Sequence, residues 1–456
     1  MKKTWLFLDC EAMDNVYSFT IREMTDALKD MGDSSVIFKL YNKGALIPEA
    51  RLKQAVDKVR PDYIVWSHGD GWEYFDLLKK HKSSKINLWY DDPMQRLQQR
   101  PGVVRAMANS GFEDFSIFVW DRYWANQLEQ ITGVTIIPTE LASDPKVYFP
   151  ARRKLSDDAV FIGCLQSPNW IYNEISQLPG MFQVFMSKCL EVMKGCVVIP
   201  PWDKLMAMAE SVMDKGDLQI FDQQSKEMGS ILRKCYALLW AASKNEARVR
   251  LLRAATKVTP VLMFSETKQR NHANPYEIQG MVGEFDPQRL RIIDTSKTKG
   301  ECLGQLYHYG RIHLQAVDPQ SVFGGIPYRN YQTAASGRPL FTDTRIDWHQ
   351  SFNSDELISY EWGQCLEDQL SEAMKRTDLD EIGMKARKGF EEKHTWQIRM
   401  QRIKDIADSS LLSSTFHRKA SSQSVTIDPN QAMQNLLSQI DMSVDKNYKA
   451  PPLPKI

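Results

Sequence analysis

The chain has 456 residues, of which 43% are hydrophobic and 25% charged, with a formal net charge of +1. That length suggests two or three domains with ample capacity for a core, and the composition is ordinary for a soluble globular protein. A near-zero net charge excludes a global field that selects nucleic acid or anionic membrane, while a local basic groove stays open.

The first residues, MKKTWLFLDCEAM, imitate a lipoprotein signal, but the apolar run spans only residues 5–8 and Asp9 is the wrong residue before the cysteine. A first buried strand at 4–8 followed by a ligand-facing loop explains them better. No run approaches the ~20 apolar residues that cross a bilayer. The cysteines at 10, 164, 189, 196, 235, 302 and 365 form no C-x-x-C pair. They read as small buried hydrophobes in a reducing cytoplasm, and neither a disulfide frame nor a zinc site is expected.

Residues 1–150 alternate strand and helix, as a doubly wound sheet does. Strands are predicted at 4–8, 35–41, 63–67, 86–90, 115–119 and 134–138, with helices at 19–31, 49–58 and 72–81. The loops at 9–18, 68–71 and 91–93 are polar and share one edge of the sheet. They carry Asp9, His68, Asp70, Asp91 and Asp92. A histidine titrates near neutrality and suits a general base, or His68 simply caps the next helix. Asp92 precedes Pro93 and is a natural N-cap. Either carboxylate can also serve as a base or hold ligand hydroxyls, but a lone pair of aspartates is poor evidence for a metal, and none is expected. Trp120 and Trp124 read as a buried helix face.

A second α/β unit opens with a strand at 159–163 and is interrupted by helical sequence over about 169–257. Within it, 226–244 has apolar residues at helical spacing, and 246–257 reads as helical and basic. The basic residues Lys244, Arg248, Arg250, Arg253 and Lys257 lie there, and the last three share a face that reads as solvated, with an anionic acceptor as the alternative. Strands follow at 258–264, 290–294 and 311–317. Next come a glycine loop at 323–327, a helix at 328–336 stopped by Gly337 and Arg338, and a strand at 339–342. Such a loop leaves free N–H groups of a helix N-terminus at the carboxyl edge of a parallel sheet, where an α/β fold binds phosphate. Arg329, in the first helical turn, adds a fork for two phosphate oxygens. The plain alternative is a strand-to-helix turn with a surface arginine. Helices at 363–375 and 379–395 close the unit, and a helix at 396–407 crosses back to the first domain. Beyond about 409 the chain is polar and expected to be largely disordered, with one apolar patch at 432–440. The domains are thus 1–150, 151–395 with the insertion, a returning helix at 396–410, and a tail at 411–456.

Several motifs occur in a recognisable order. Phe161, Ile162 and Gly163 open the second unit. Arg329, Tyr331, Gln332, Ala334, Ala335, Gly337, Leu340, Thr342 and Asp343 follow a pattern close to R-x-F-E-A-x-A-C-G-x-x-L-L-T-D. His394, Thr395 and Trp396 precede the last helix, while WYDDP at 89–93 and ELASDPKVYFP at 140–150 lie in and after the first. Together these resemble the CgeB-like, spore-maturation type of glycosyltransferase, a GT-B family, over residues 1 to about 410 apart from the insertion. The resemblance implies two Rossmann-like domains facing across a cleft and transfer of a sugar from a nucleotide-diphosphate sugar to an acceptor. That acceptor is unidentified: a glycan, a protein or a nucleic acid. No separate cofactor is implied. The C-terminal domain would hold the donor, with diphosphate at Gly163, Gly325 and Arg329 and Gln332 toward the ribose. The N-terminal loops would hold the acceptor through Asp9, Asp70 and Asp91, with His68 or Asp92 as the base. Two departures stand out. Gln332 replaces the usual glutamate and loses its charge, and the strand asparagine is absent from IHLQAV. They motivate a second reading, a non-catalytic nucleotide-sugar or polymer-binding module, and a third is an epimerase on the same scaffold.

Overall fold

Strands buried on both faces read as near-continuous apolar runs, and two groups of such runs each form an all-parallel six-stranded sheet. The computed structural model describes residues 2–9, 16–42, 45–67, 71–89, 115–151, 156–192, 205–227, 229–284, 286–298, 302–319, 325–345 and 348–410. In the first sheet, β1 (Thr4–Asp9) is followed by helix α1 (Val16–Asp30) and edge strand β2 (Ser34–Lys39). A small antiparallel pair, β3 (Tyr41–Asn42) and β4 (Ala45–Leu46), leads into α2 (Glu49–Val59) and β5 (Tyr63–Ser67). The short helix α3 (Phe75–Lys79), β6 (Ser84–Trp89), β7 (Phe115–Val119), α4 (Arg122–Thr132) and β8 (Ile136–Pro138) complete the unit. The order β2-β1-β5-β6-β7-β8 reverses direction between β1 and β5.

The second sheet has the order β11-β10-β9-β12-β13-β14. It starts with β9 (Ala159–Ile162), after which the chain runs through α5 (Pro168–Ser176), α6 (Gly180–Val192), α7 (Leu205–Val212), α8 (Lys215–Glu227) and α9 (Gly229–Val258) before reaching β10 (Val261–Ser265). The helical stretches read at 226–244 and 246–257 belong to one helix. Helix α9 runs for 30 residues, with its first half in a helical core around Phe182, Phe185 and Phe221. Its second half, through Ala247, Leu251, Leu252 and Ala255, lies in the core of the sheet. Helix α10 (Pro275–Val282), capped by an Asn274–Glu277 box and ended by Gly283 at φ 74°, leads to β11 (Leu290–Asp294). A single turn, α11 (Cys302–Gln305), precedes β12 (Ile312–Gln315), and α12 (Tyr328–Ala335) and β13 (Leu340–Asp343) follow. The last elements are β14 (Ile358–Tyr360), α13 (Leu366–Lys375), α14 (Leu379–Lys393) and α15 (Trp396–Ser410).

The basic face on α9 is not solvated as expected. Arg253 donates to the carbonyls of Met281 and Val282, which end α10. Arg250 stacks 5.3 Å over the Trp362 ring, and Arg248 is buried. Only Lys257, paired with Glu367 at 2.7 Å, lies on the surface. Trp120 and Trp124 are buried, the latter on α4.

Helix α15 returns to the first sheet. Trp396, Met400, Ile403 and Ala407 recur at helical spacing and join Ile21, Met24 and Leu28 of α1 in one core. Burial of each large side chain in that seam contributes about 1.5–3 kcal/mol. Polar ties frame it: Arg399 to Glu140 at 2.6 Å, Lys404 to Asp33 at 2.8 Å, and the Tyr63 hydroxyl donating to Asp408 at 2.5 Å. No helix among the described residues is long and apolar enough to cross a membrane.

Candidate functional site

In an open parallel sheet, a ligand crevice forms at the carboxyl edge where the strand order reverses. In the second sheet that point lies between β9 and β12. Gly163 directly follows β9, and a β-carbon there would sit 2.9 Å from Arg329 Nη1. The missing side chain therefore lets the guanidinium lie against the strand end. Arg329 is the second residue of α12, half-buried, and its Nε is buried without a hydrogen-bond partner. A buried donor of this kind is costly until an acceptor reaches it, and an anionic oxygen is the best acceptor for a guanidinium.

Further cations converge on the same edge from α9. Arg248 donates from Nη1 to the Cys164 carbonyl, and Asn245 brackets Gln166, accepting from its N–H at 2.8 Å and donating to its carbonyl at 2.7 Å. The inserted helix thus fixes the loop after β9. Asp318, just past β12, accepts from the Trp240 indole at 2.6 Å and lies 3.6 Å from Lys244 and 3.9 Å from Arg248. His272, in the loop before α10, has its Nδ1 3.0 Å from the Glu266 carbonyl. Cys164, Lys244, Arg248, His272 and Asp318 had no assigned site role in the sequence. The signal that could have found Cys164 and Asp318 is their position just past β9 and β12, the strands at the reversal point, whereas Lys244 and Arg248 lie within α9 and His272 in the loop before α10.

Asp343, part of the sequence pattern, is structural. It accepts from the Val317 N–H at 2.7 Å, from Arg345 at 2.8 Å and from the Trp362 indole at 3.1 Å. Those bonds pin the segment leaving β12.

Gln332 lies one helical turn after Arg329, with its amide held at both ends. Its Nε2 donates to the Tyr148 hydroxyl at 2.9 Å, and its Oε1 accepts from the Tyr307 hydroxyl at 2.5 Å. Burial pushes Tyr307 up to about 12, against the opposing pull of Arg329, and pushes Tyr148 well above the usual range, so both phenols keep their protons. An amide with both ends engaged closes a clasp between α12 and the 139–151 linker. That differs from the expected placement toward a ribose.

The Gly325 N–H, expected to face a phosphate, donates instead to Asp121 Oδ2 at 2.9 Å. Asp121 follows β7 and is fully buried. This bond brings the carboxyl edges of the two sheets together, and sequence reasoning passed over it. Asp9 is buried at the carboxyl end of β1, the reversal point of the first sheet. His68, Asp70, Asp91 and Asp92 lie outside the described residues, as do residues 323 and 324 of the glycine loop and the tail beyond 410. Among the described residues no group of three or more His, Cys, Asp or Glu side chains could hold a metal ion.

Comparison with known proteins gives the frame a name. Residues 248–405 match a family model described as glycosyl transferase-like. Among solved structures, the chain is similar to an alpha-glucosyltransferase (AGT) in complex with UDP, at a TM-score of 0.51 and 11% identity, covering 90% of this chain and 100% of that one. It is also similar to HepE of Anabaena in complex with UDP and glucose, at a TM-score of 0.50 and 10% identity, covering 89% and 100%. No curated protein matches it by sequence. The architecture is α/β with the GT-B fold, two parallel six-stranded sheets flanked by helices.

Proposed function

We propose, from the premise that residues 248–405 form a glycosyl transferase-like domain on a GT-B frame, that this chain transfers a sugar from a nucleotide-diphosphate sugar to an acceptor. The observation that carries the reading is the crevice between β9 and β12, where Gly163 gives way to Arg329 and leaves its Nε without a partner. A diphosphate oxygen supplies the missing acceptor, and Arg248 and Lys244 stand at the same edge to balance further charge. UDP in the two similar solved structures supports a nucleoside diphosphate as the donor's leaving half.

Catalysis on this reading comes from orienting two substrates between facing sheet edges and neutralising charge on the departing diphosphate. The acceptor side lies on the first domain, around Asp9, Asp70 and Asp91. His68 or Asp92 is the base if the reaction inverts configuration, and no base is assigned if it retains. No separate cofactor or metal is invoked. The acceptor class is a glycan, a protein or a nucleic acid, and the ordered motifs support a CgeB-like subtype. Cysteines without a paired framework support a cytoplasmic setting.

The test is a panel of nucleotide sugars incubated with the purified protein. One donor is expected to raise the melting temperature and to be slowly hydrolysed, with free nucleoside diphosphate and a glycosylated product in the presence of cell-extract acceptors. Such a product also excludes an epimerase. A non-catalytic binding module has its own support in the engaged Gln332 amide and Gly325 N–H. A thermal shift with no turnover favours that module, and no shift with any donor sinks both readings.

A further inference from the structure

A helix that ends in the left-handed region usually does so on glycine, because a β-carbon crowds the backbone there. Helix α2 ends instead on Arg60, at φ 48°, which alone among the described residues other than glycine has a positive φ. The cap is made by the backbone, the Arg60 N–H donating to the Val56 carbonyl at 2.8 Å, so it does not call for this side chain. Nor does the helix need a cation here, since Lys58 already stands in its last turn. What arginine supplies at this position lies outside the helix. It lines a hollow of about 260 Å³ together with Lys3, Asp62, Tyr63, Lys82 and Asp408. The hollow lies where β1, β5 and β6 begin, at the amino edge of the first sheet, away from the carboxyl edge that meets the second domain. Two kinds of group meet in it. Arg60 and Lys82 are exposed, and among the described residues neither side chain has a hydrogen bond or an ion pair. The carboxylates are held in place: Asp62 accepts from the Thr4 N–H at 2.8 Å and lies 3.5 Å from Lys3 Nζ, and Asp408 accepts from the Tyr63 hydroxyl at 2.5 Å.

A carboxylate offers about four lone-pair sites, so both keep room for a ligand hydroxyl. Free cations beside positioned acceptors do not suit a bare anion, which the carboxylates repel, nor a nucleic-acid backbone, which takes a basic stripe. They suit a molecule with a phosphate at one end and hydroxyls at the other. The volume agrees, since it falls just below the ~300–1,000 Å³ of pockets for drug-sized ligands. We propose that this hollow is a second ligand site, for a small phosphorylated polyol of hexose phosphate size: Arg60 and Lys82 take the phosphate, and Asp62 and Asp408 accept from the hydroxyls. Asp408 belongs to α15, so the bound molecule ties the end of the returning helix to the first sheet. The site does not rest on the donor reading.

The experiment is calorimetry on the full chain at low salt with glucose 6-phosphate, fructose 6-phosphate and glucose 1-phosphate, each with and without UDP. At least one is expected to bind with a Kd of about 1 mM or tighter, and UDP is expected to leave that affinity unchanged. Glucose and inorganic phosphate each meet half of the lining and are expected to bind about tenfold more weakly or less. Arg60→Gly keeps the left-handed cap, so its melting temperature should stay within about 2 °C of wild type. Its hexose phosphate affinity should fall about tenfold or more, because a charge-assisted contact is gone. Lys82→Ala, at an exposed position, should lose about threefold. No binding by any of the three at about 10 mM overturns the proposal. Binding that Arg60→Gly leaves unchanged overturns it too, as does displacement by UDP, which would put the molecule in the donor crevice. Inorganic phosphate binding as tightly as the hexose phosphate shows a bare anion site and overturns the roles given to Asp62 and Asp408.

Discussion

Arg329 is a guanidinium with an unpartnered buried Nε and a glycine in front of it. Nothing in the fold uses that nitrogen, so its loss should cost binding more than stability. Arg329→Ala removes a charge-assisted contact worth about 1.5–3 kcal/mol, which weakens UDP about ten- to hundredfold by calorimetry while the melting temperature stays close to wild type. Arg329→Lys should recover only part, because an ammonium cannot present the planar fork. Gln332 predicts the opposite pattern. Gln332→Leu leaves the Tyr148 and Tyr307 hydroxyls without their partner. Denaturant unfolding should show a loss of about 2 kcal/mol or more, with little change in UDP affinity in the folded protein. If UDP affinity collapses while stability holds, the amide faces the ribose after all. The departure from glutamate was legible in the sequence, but the clasp was not. Tyr148 stands 184 residues away and Tyr307 stands 25 away, and no local pattern announces such pairings. Arg248 and Lys244 at the same edge escaped for the same reason, since both lie on α9, far in sequence from Cys164 and Asp318.

At the scale of elements, what local physics determines was readable, and what tertiary contacts decide was not. Near-continuous apolar runs gave the four central strands β1, β5, β6 and β7 to within a few residues, because a strand buried on both faces leaves little freedom in its composition, and the exposed edge strands β2 and β8 were placed less closely. The strand β14 was missed. Its three residues, ISY, carry too short a pattern, and its pairing with β13 comes from the fold. The two stretches read as helical at 226–244 and 246–257 meet at Ser243, Lys244 and Asn245, residues of modest helix propensity or polar character, and nothing in the sequence shows that the helix runs through them. Asn245 instead spends its amide on the Gln166 backbone, so the helix continues. Helix α15 was foreseen, but its buried contact with Glu23 was not. The Trp396 indole donates to Glu23 at 3.1 Å, and Glu23 Oε1 has no partner. Burial pushes Glu23 up to about 8, with Trp396 pulling the other way and Asp144 and Asp26 adding to the rise. A raised acid stays protonated in the folded state after it has ionised in the unfolded one. Its contribution is therefore complete below the unfolded value and drains away as pH rises toward 8. Glu23→Gln removes that dependence. Between pH 5 and pH 8 the wild type should lose roughly 2–4 kcal/mol more than the variant in urea unfolding. Parallel pH profiles for the two proteins would show that the carboxyl is not buried against α15.

For the whole molecule, function on the GT-B reading depends on how the two carboxyl edges face one another. The contact that sets their approach is small: the Gly325 N–H bonded to Asp121, with the Trp120 ring alongside. A β-carbon on residue 325 would lie 2.5 Å from Trp120 Cζ3, 2.6 Å from Cε3 and 2.8 Å from Asp121 Oδ2. Gly325 has no positive φ, so alanine meets no backbone strain and the clash is between domains. Trp120 and Asp121 are buried and cannot swing aside. The cheaper relief is a rotation that parts the edges. The α15 seam, with Arg399 on Glu140 and Lys404 on Asp33, keeps the domains joined at the far end while they part. Gly325→Ala is therefore expected to keep the helix and strand content seen by circular dichroism and to raise the radius of gyration in solution scattering. Turnover should fall more than UDP affinity does, because Gly163 and Arg329 sit on one domain while transfer needs both. Asp121→Asn separates steric from polar effects: it adds no bulk, but its single amide oxygen can serve only one of the Trp124 and Gly325 N–H groups that the two carboxylate oxygens accept from, so any change it brings is polar in origin. If Gly325→Ala scatters like wild type and turns over normally, the edges do not need this contact, and the approach of the two sheets is set by the linker and α15 alone.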